Sequence, residues 1–274
     1  MDRPIPSFRE ASRVAGAWCV KPRILVLEVR DRAQANEKPI AWLMVEREET
    51  YQREKQNGPI LAAKICISYQ LIQAKFAANE DSSGEFEGSY TGYSNSVSIS
   101  GGFVVLDLPG LENQHIGTYL MNEIVLWARQ WPDANVAPIR LVEGQAHGNN
   151  KDRRNWFYWQ FGLEFDWVDA SHKAGVSRPM LTKALTPVEK WKENITEHLV
   201  QDYFSSLLYA EQTASSELEA RDRACKDLID SIRKAEKHPI LWMLKELYYR
   251  HREALLKWSM IALVLGAVWH QLKG

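Results

Sequence analysis

The stretch Leu111-Glu112-Asn113-Gln114-His115-Ile116-Gly117-Thr118 runs from a polar turn into an apolar-periodic segment. A helix starting there would present several unpaired N–H groups and the positive end of its dipole, where phosphate oxygens are stabilised. Gly117 lets such a group approach the backbone; the plain alternative is a capped surface turn. Arg153 and Arg154 lie near the start of a second helix, where a guanidinium suits phosphate oxygens or simply faces water. Four side chains could move a proton: Asp107 at the end of an apolar strand, Glu143 on the next strand, His147 in a Gly-Asn loop, and Tyr158 within the second helix. Each has a bland counterpart: solvated strand-end charges for the two carboxylates, an exposed loop histidine, and a tyrosine packed beside Phe157 and Phe161. No Walker loop, Gly-x-Ser-x-Gly elbow or metal-ligand cluster competes, and no metal is expected.

These residues need a scaffold. Gly102 to Leu108 is apolar, partly β-branched and stopped by Pro109-Gly110, which predicts a strand buried on both faces. Ile116, Leu120, Ile124, Trp127 and Trp131 recur at three- and four-residue spacing, predicting a helix that Pro132 closes. Pro138 to Gly144 reads as a second strand. Asn150 caps a helix that ends at Gly162, and Leu163 to Val168 returns as strand.

Here the chain resembles a known family. Asn150 followed by Arg153-Arg154-Asn155-Trp156-Phe157-Tyr158-Trp159-Gln160-Phe161-Gly162-Leu163-Glu164-Phe165 is similar to the GNAT acyltransferase pattern of an Asn-initiated helix ending in Phe-Tyr-x-x-x-Gly-Phe. Gln114-His115-Ile116-Gly117-Thr118-Tyr119-Leu120 resembles that family's pyrophosphate loop, and the two motifs fall in the family's order. The loop differs from the family at Glu112, usually Arg or Gln, and at His115, usually Gly.

The resemblance implies an α+β fold with a mixed, mostly antiparallel sheet flanked by helices, closed by a hairpin of Phe165 to Asp169 with Val176 to Leu185. It implies acetyl-CoA, or another acyl-CoA, as co-substrate, held by Leu106, Leu108, Gln114, His115, Ile116, Gly117, Thr118, Asn150 and Arg154. It implies direct transfer to an amine, of a small molecule or a protein, with Tyr158 as the acid that protonates the departing thiolate. Asp107 and Glu143 are then the candidates for the base. The departures at Glu112 and His115 motivate a second reading, in which the same fold is a non-catalytic platform held to a membrane or partner by its C-terminal helices.

The remainder of the chain sets the context. With 274 residues, 45% hydrophobic and 25% charged, it has the composition of a globular chain, and its net charge of −1 gives no footprint for nucleic acid. Three dispersed cysteines suggest neither a disulfide framework nor a zinc site, so a reducing cytosol is the expected compartment. The N-terminus lacks an apolar signal core. Ser7 and Glu10 form a capping box for a short helix. Arg23 to Arg30 and Ile40 to Glu46 are expected strands, as is Phe86 to Tyr93 with Ser96 to Ser100. Pro59 to Phe76 fits a helix through Leu61, Ile65, Tyr69, Ile72 and Phe76, and a helix is expected there.

The resemblance ends near Leu185, which bounds an acyltransferase-like domain at residues 1–185. Thr186-Pro187-Val188-Glu189 combines an N-cap, a first-turn proline and a capping-box glutamate, predicting a helical module over 186–238. Its stripe Val188, Trp191, Ile195, Leu199, Tyr203 and Leu207 gives way, after a break near Thr213 to Ser216, to a second stripe with Leu218, Cys225, Leu228, Ile229 and Ile232, as in a helical hairpin. Pro239 opens a last helix over 239–274. Its run Trp258 to Trp269 carries no charge, and Ala254 to Leu272 nears the roughly 20 residues a bilayer requires if Lys257 snorkels. That segment, residues 254–272, reads as a C-terminal membrane anchor for a cytoplasmic domain, or as a helix that joins protomers.

Overall fold

Apolar residues at every second position build the central sheet. β2 (Ala17–Val29), β3 (Ala41–Arg53), β4 (Ile60–Ala74) and β5 (Ser83–Thr91) form an antiparallel meander. In β4 the residues Ala63, Ile65, Ile67, Tyr69 and Leu71 are all buried while their neighbours face outward. The helix expected over Pro59 to Phe76 is therefore corrected to a strand. Leu61, Ile65 and Tyr69 are spaced by four, which satisfies a period of two as well as one near 3.6, and pairing to β3 and β5 on both sides decides for the strand. The β2–β3 register shifts between Val20 and Arg23, where Pro22 has no N–H to give the ladder.

The computed structural model describes residues 13–14, 17–34, 37–54, 58–75, 82–101, 108–146 and 150–273. The capping box Ser7–Glu10 and the expected strand residues 102–107, with Leu106 and Asp107, lie outside the described residues, as does His147. β1 (Arg13–Val14) pairs with the start of β2, and β6 (Ser96–Ser98) follows β5. β7 (Asn135–Val136) pairs parallel with β6, and with one later strand added at the β2 edge the larger sheet has eight strands among the described residues and is mostly antiparallel.

α1 (Ile116–Ala128) covers one face of this sheet with the expected stripe: Ile116, Leu120, Ile124 and Trp127 are buried. The approach is close, since a Cβ at Gly88 would stand 3.0 Å from Ile124 Cγ2. Past the helix, Trp131 stacks on Tyr90 with ring centroids 4.3 Å apart and meets Trp127 edge-on. Truncating the fully buried Trp127 of this cluster would cost about 3–5 kcal/mol.

A smaller antiparallel sheet follows, in the order β8 (Arg140–Leu141), β10 (Gly175–Ser177), β9 (Phe165–Trp167). The strand expected over Pro138 to Gly144 is only these two residues, followed by a 3-10 turn at Glu143–Gln145. The closing hairpin pairs Val176 with Asp166, but the chain after Ser177 leaves the sheet and turns at Thr182–Ala184. α2 (Asn150–Trp159) lies before β9, and Gly162, at φ 84°, turns the chain out of it.

The helix expected from Thr186 does not form. The segment instead straps α1: Val188 N–H donates to Asn122 Oδ1 at 2.8 Å, and buried Trp191 meets Tyr119 edge-on. After a 3-10 turn at Lys190–Glu193, β11 (Ile195–Leu199) pairs antiparallel with β2 along Leu25 to Val29. Tertiary anchors thus override the local cap signal. α3 (Val200–Lys237) then runs without the expected break at Thr213 to Ser216, and α4 (Pro239–Lys273) follows. The fold is α+β, with four α-helices among the described residues.

By its contacts the chain divides into Met1–Ser205 and Ser206–Gly274, where the sequence places breaks after residues 185 and 238. Most side chains of Trp258 to Trp269 lie outside the described residues. Among the described residues no helix is long and apolar enough to cross a membrane.

Candidate functional site

Between the N-terminus of α1, the N-terminal part of α2 and strand β8 lies a cavity of about 910 Å³. It brings together two stretches that are well separated in sequence: Gln114 to Thr118 on one side, and Asn150, Arg153, Arg154, Phe157 and Tyr158 on the other. Leu108 contributes a buried apolar wall. Phe86 and Ser98 line it from the sheet and Ser100 from the bend after β6.

The mouth of α1 is open. Its N-cap, His115, has φ 61° and makes no side-chain cap, so the first N–H groups of the helix keep no capping partner. Asn113 is also left-handed, at φ 64°. Such backbone gathers N–H groups toward one concavity. A left-handed histidine costs about 1 kcal/mol or more unless its surroundings hold it.

Asn194 does the holding. Its Nδ2 donates to the carbonyls of Arg30 and Gln114, both at 3.0 Å, which leaves Oδ1 as acceptor 2.9 Å from His115 Nδ1. This network assigns the imidazole proton to Nδ1 and the lone pair to Nε2. Burial holds the His115 pKa below its ordinary 6.5, with the Asn194 bond opposing it and nearby Arg32 and Lys190 adding to the lowering. Gln114 is fixed by its Oε1, which accepts from the Arg32 N–H at 2.9 Å.

Thr118, buried, accepts from Gln160 Nε2 at 3.3 Å and so ties the start of α1 to the end of α2. Asn150 donates to Gln145 O at 2.7 Å and accepts from Arg153 at 2.9 Å, fixing the entry into α2. Ile116 is buried on the cavity wall, and Gly117 lies beside it on the first turn.

Tyr158 is buried against Phe157 and Phe165, yet it lines the cavity and its hydroxyl makes no hydrogen bond to a described residue. Burial raises its pKa above 10, with Arg154 opposing, so it is a neutral phenol able to donate. Arg154 lines the same cavity but is already committed: its guanidinium donates to Val142 O at 3.0 Å, to Lys173 O at 2.8 Å and to Asn155 Oδ1. It braces the site rather than offering a free charge. Glu143 does not line the cavity; it is exposed and pairs with Lys173 at 3.3 Å.

The cavity wall is strongly cationic. Arg32, Arg140, Arg153, Arg154 and Lys190 line it against one carboxylate among the described lining residues, Glu112. Glu112 is itself engaged, accepting from Gly110 N–H at 2.9 Å. Arg32, Arg140 and Lys190 are in no ion pair with a described residue. In a chain of net charge −1, this concentration favours an anionic ligand. Sequence reasoning missed Arg32, Arg140, Lys190 and Asn194. Arg32 lies in a polar turn, Arg140 in a segment that reads as strand, and Lys190 and Asn194 in one that reads as helix, so no local pattern marks them.

No family model matches the chain, and no curated protein is found to be similar to it.

Proposed function

We propose that this chain is a GNAT-type N-acyltransferase that moves an acetyl or other acyl group from acyl-CoA to an amine. The observation that carries the reading is the cavity itself: an uncapped helix N-terminus, three lining cations that pair with no carboxylate among the described residues, and a neutral phenol on α2 that has no described hydrogen-bond partner. The first arrangement suits the phosphates of a CoA substrate, with Gln114, His115, Ile116, Gly117 and Thr118 around the pyrophosphate and Leu108 and Asn150 along the adjoining wall. His115 occupies the position where the resembled loop has glycine, and its φ of 61° is the conformation that glycine adopts freely. The mostly antiparallel sheet with α1 against it and α2 before a short hairpin agrees with the same family.

In the proposed reaction the amine nitrogen attacks the thioester carbonyl, the carbon–sulfur bond breaks, and the Tyr158 hydroxyl gives its proton to the departing thiolate. Glu143, turned to solvent, is withdrawn as the base. Asp107 remains the proposed acceptor of the amine proton on the sequence reading.

Calorimetric titration with acetyl-CoA tests the proposal. Wild-type protein should bind at micromolar to low millimolar concentrations, and Gly117→Val should remove binding while the far-UV spectrum is unchanged. No heat and no thermal shift with millimolar acetyl-CoA would overturn it.

A further inference from the structure

Among the described residues, α3 leaves a long helical face without a partner. Leu207 is 47% exposed and Leu218 and Leu228 are each 62% exposed, and among the described residues α4 makes no extended packing along α3. At His238 the two helices continue end to end, with His238 N–H on Lys234 O and Trp242 N–H on His238 O, while Pro239 contributes no donor.

From Phe204 to Leu228, the residues at alternating three- and four-residue steps are apolar or small, except for Glu211 and Arg221. This is the spacing of a coiled-coil seam. Neither charge is paired with a described residue. In a parallel pair of α3 helices each seam residue meets its own copy, so Glu211 would face Glu211 and Arg221 would face Arg221. In an antiparallel pair, positions of the first kind face positions of the second, and one register sets Glu211 opposite Arg221 at two symmetric places. That register also sets Leu207 opposite Cys225 and Ala214 opposite Leu218, small against large each time. The seam is thus self-complementary about a two-fold axis and repels itself in the parallel sense.

We infer that α3 is the interface with a second copy of this chain, packed antiparallel with Glu211 of each copy on Arg221 of the other. The inference is independent of the chemistry proposed for the cavity.

Mild oxidation of full-length Leu207→Cys tests it. Within one chain Leu207 and Cys225 are about 27 Å apart along the helix, so they cannot join intramolecularly. The expected product is a dimer whose disulfide, located by peptide mass, links residue 207 of one chain to Cys225 of the other. Adding Cys225→Ser should abolish it. By sedimentation, Glu211→Arg and Arg221→Glu should each weaken the dimer about 10-fold or more, and the double variant should recover most of the loss. A monomer at tens of micromolar, a Cys225–Cys225 bridge in the unmodified chain, or no rescue in the double variant would each overturn the inference.

Discussion

His115 Nδ1 and Asn194 Oδ1 are 2.9 Å apart, so the residue that opens α1 is fixed by a side chain entering β11, 79 positions later. Asn194 is buried and spends its amide on two carbonyls, and its loss would leave both without a donor. Asn194→Ala should lower stability by about 1–3 kcal/mol in urea unfolding and weaken acetyl-CoA binding. Asn194→Asp should raise the His115 pKa from its lowered value, read by NMR of the imidazole; an unmoved titration would mean that the contact does not govern the ring.

The same group sets a pH dependence of folding. Because burial lowers the His115 pKa below 6.5 in the folded chain, the unfolded chain binds the proton first. The contribution to stability is complete above 6.5 and is lost as pH falls through the lowered pKa. The difference in unfolding free energy between wild type and His115→Gln, measured from pH 8 to 5, should therefore shrink below about 6.5. A difference that grows there would reverse the assignment.

Binding of acyl-CoA should act in the opposite direction. Phosphate oxygens beside His115 favour the imidazolium, so complex formation takes up a proton and affinity rises as pH falls from 8 to 6. Calorimetry in buffers of different ionisation heat reads the proton directly, and His115→Gln should flatten it. Proton release on binding would place the anion elsewhere.

Tyr158→Phe removes a hydroxyl that has no described partner, so the melting temperature should hardly change. Turnover should nevertheless drop by roughly 10- to 10,000-fold with little change in KM, since the lost proton donor matters in the transition state. Equal turnover in the two proteins would make Tyr158 a packing residue.

The cavity cations that pair with no described carboxylate should show in the salt dependence. Acetyl-CoA affinity should fall between 50 and 200 mM salt, and Arg140→Ala or Lys190→Ala should each cost about 0.5–1.5 kcal/mol and make that slope shallower. A slope unaffected by both substitutions would exclude these side chains from the phosphate path.

How far the molecule was legible depended on whether local pattern and tertiary demand agreed. α1 and α2 were legible from residues such as Ile116, Ile124, Tyr158 and Gly162, because the apolar stripe of α1 and the left-handed glycine after α2 serve the fold they sit in. β4 was misread because Leu61, Ile65 and Tyr69 satisfy two periods, and only pairing to both neighbouring strands separates them. Thr186 to Glu189 carries a sound capping signal that Asn122 and Tyr119 outcompete. Within the cavity, Gln114 to Thr118 and Tyr158 stood out by motif. Asn194 and Lys190 did not, since their roles come from where β11 docks and leave no trace in spacing.

β11 also fixes where the chain can be shortened. It pairs along the edge of β2 and has Asn194 at its entry, shortly before α3 departs at Val200. A polypeptide ended at Leu185 would strip a strand from that edge, leave Tyr119 without its Glu197 acceptor, and release the loop that opens α1. One ended after Ser205 keeps all three. Limited proteolysis should accordingly trim the molecule from its C-terminal side and leave a fragment that retains β11 and still folds.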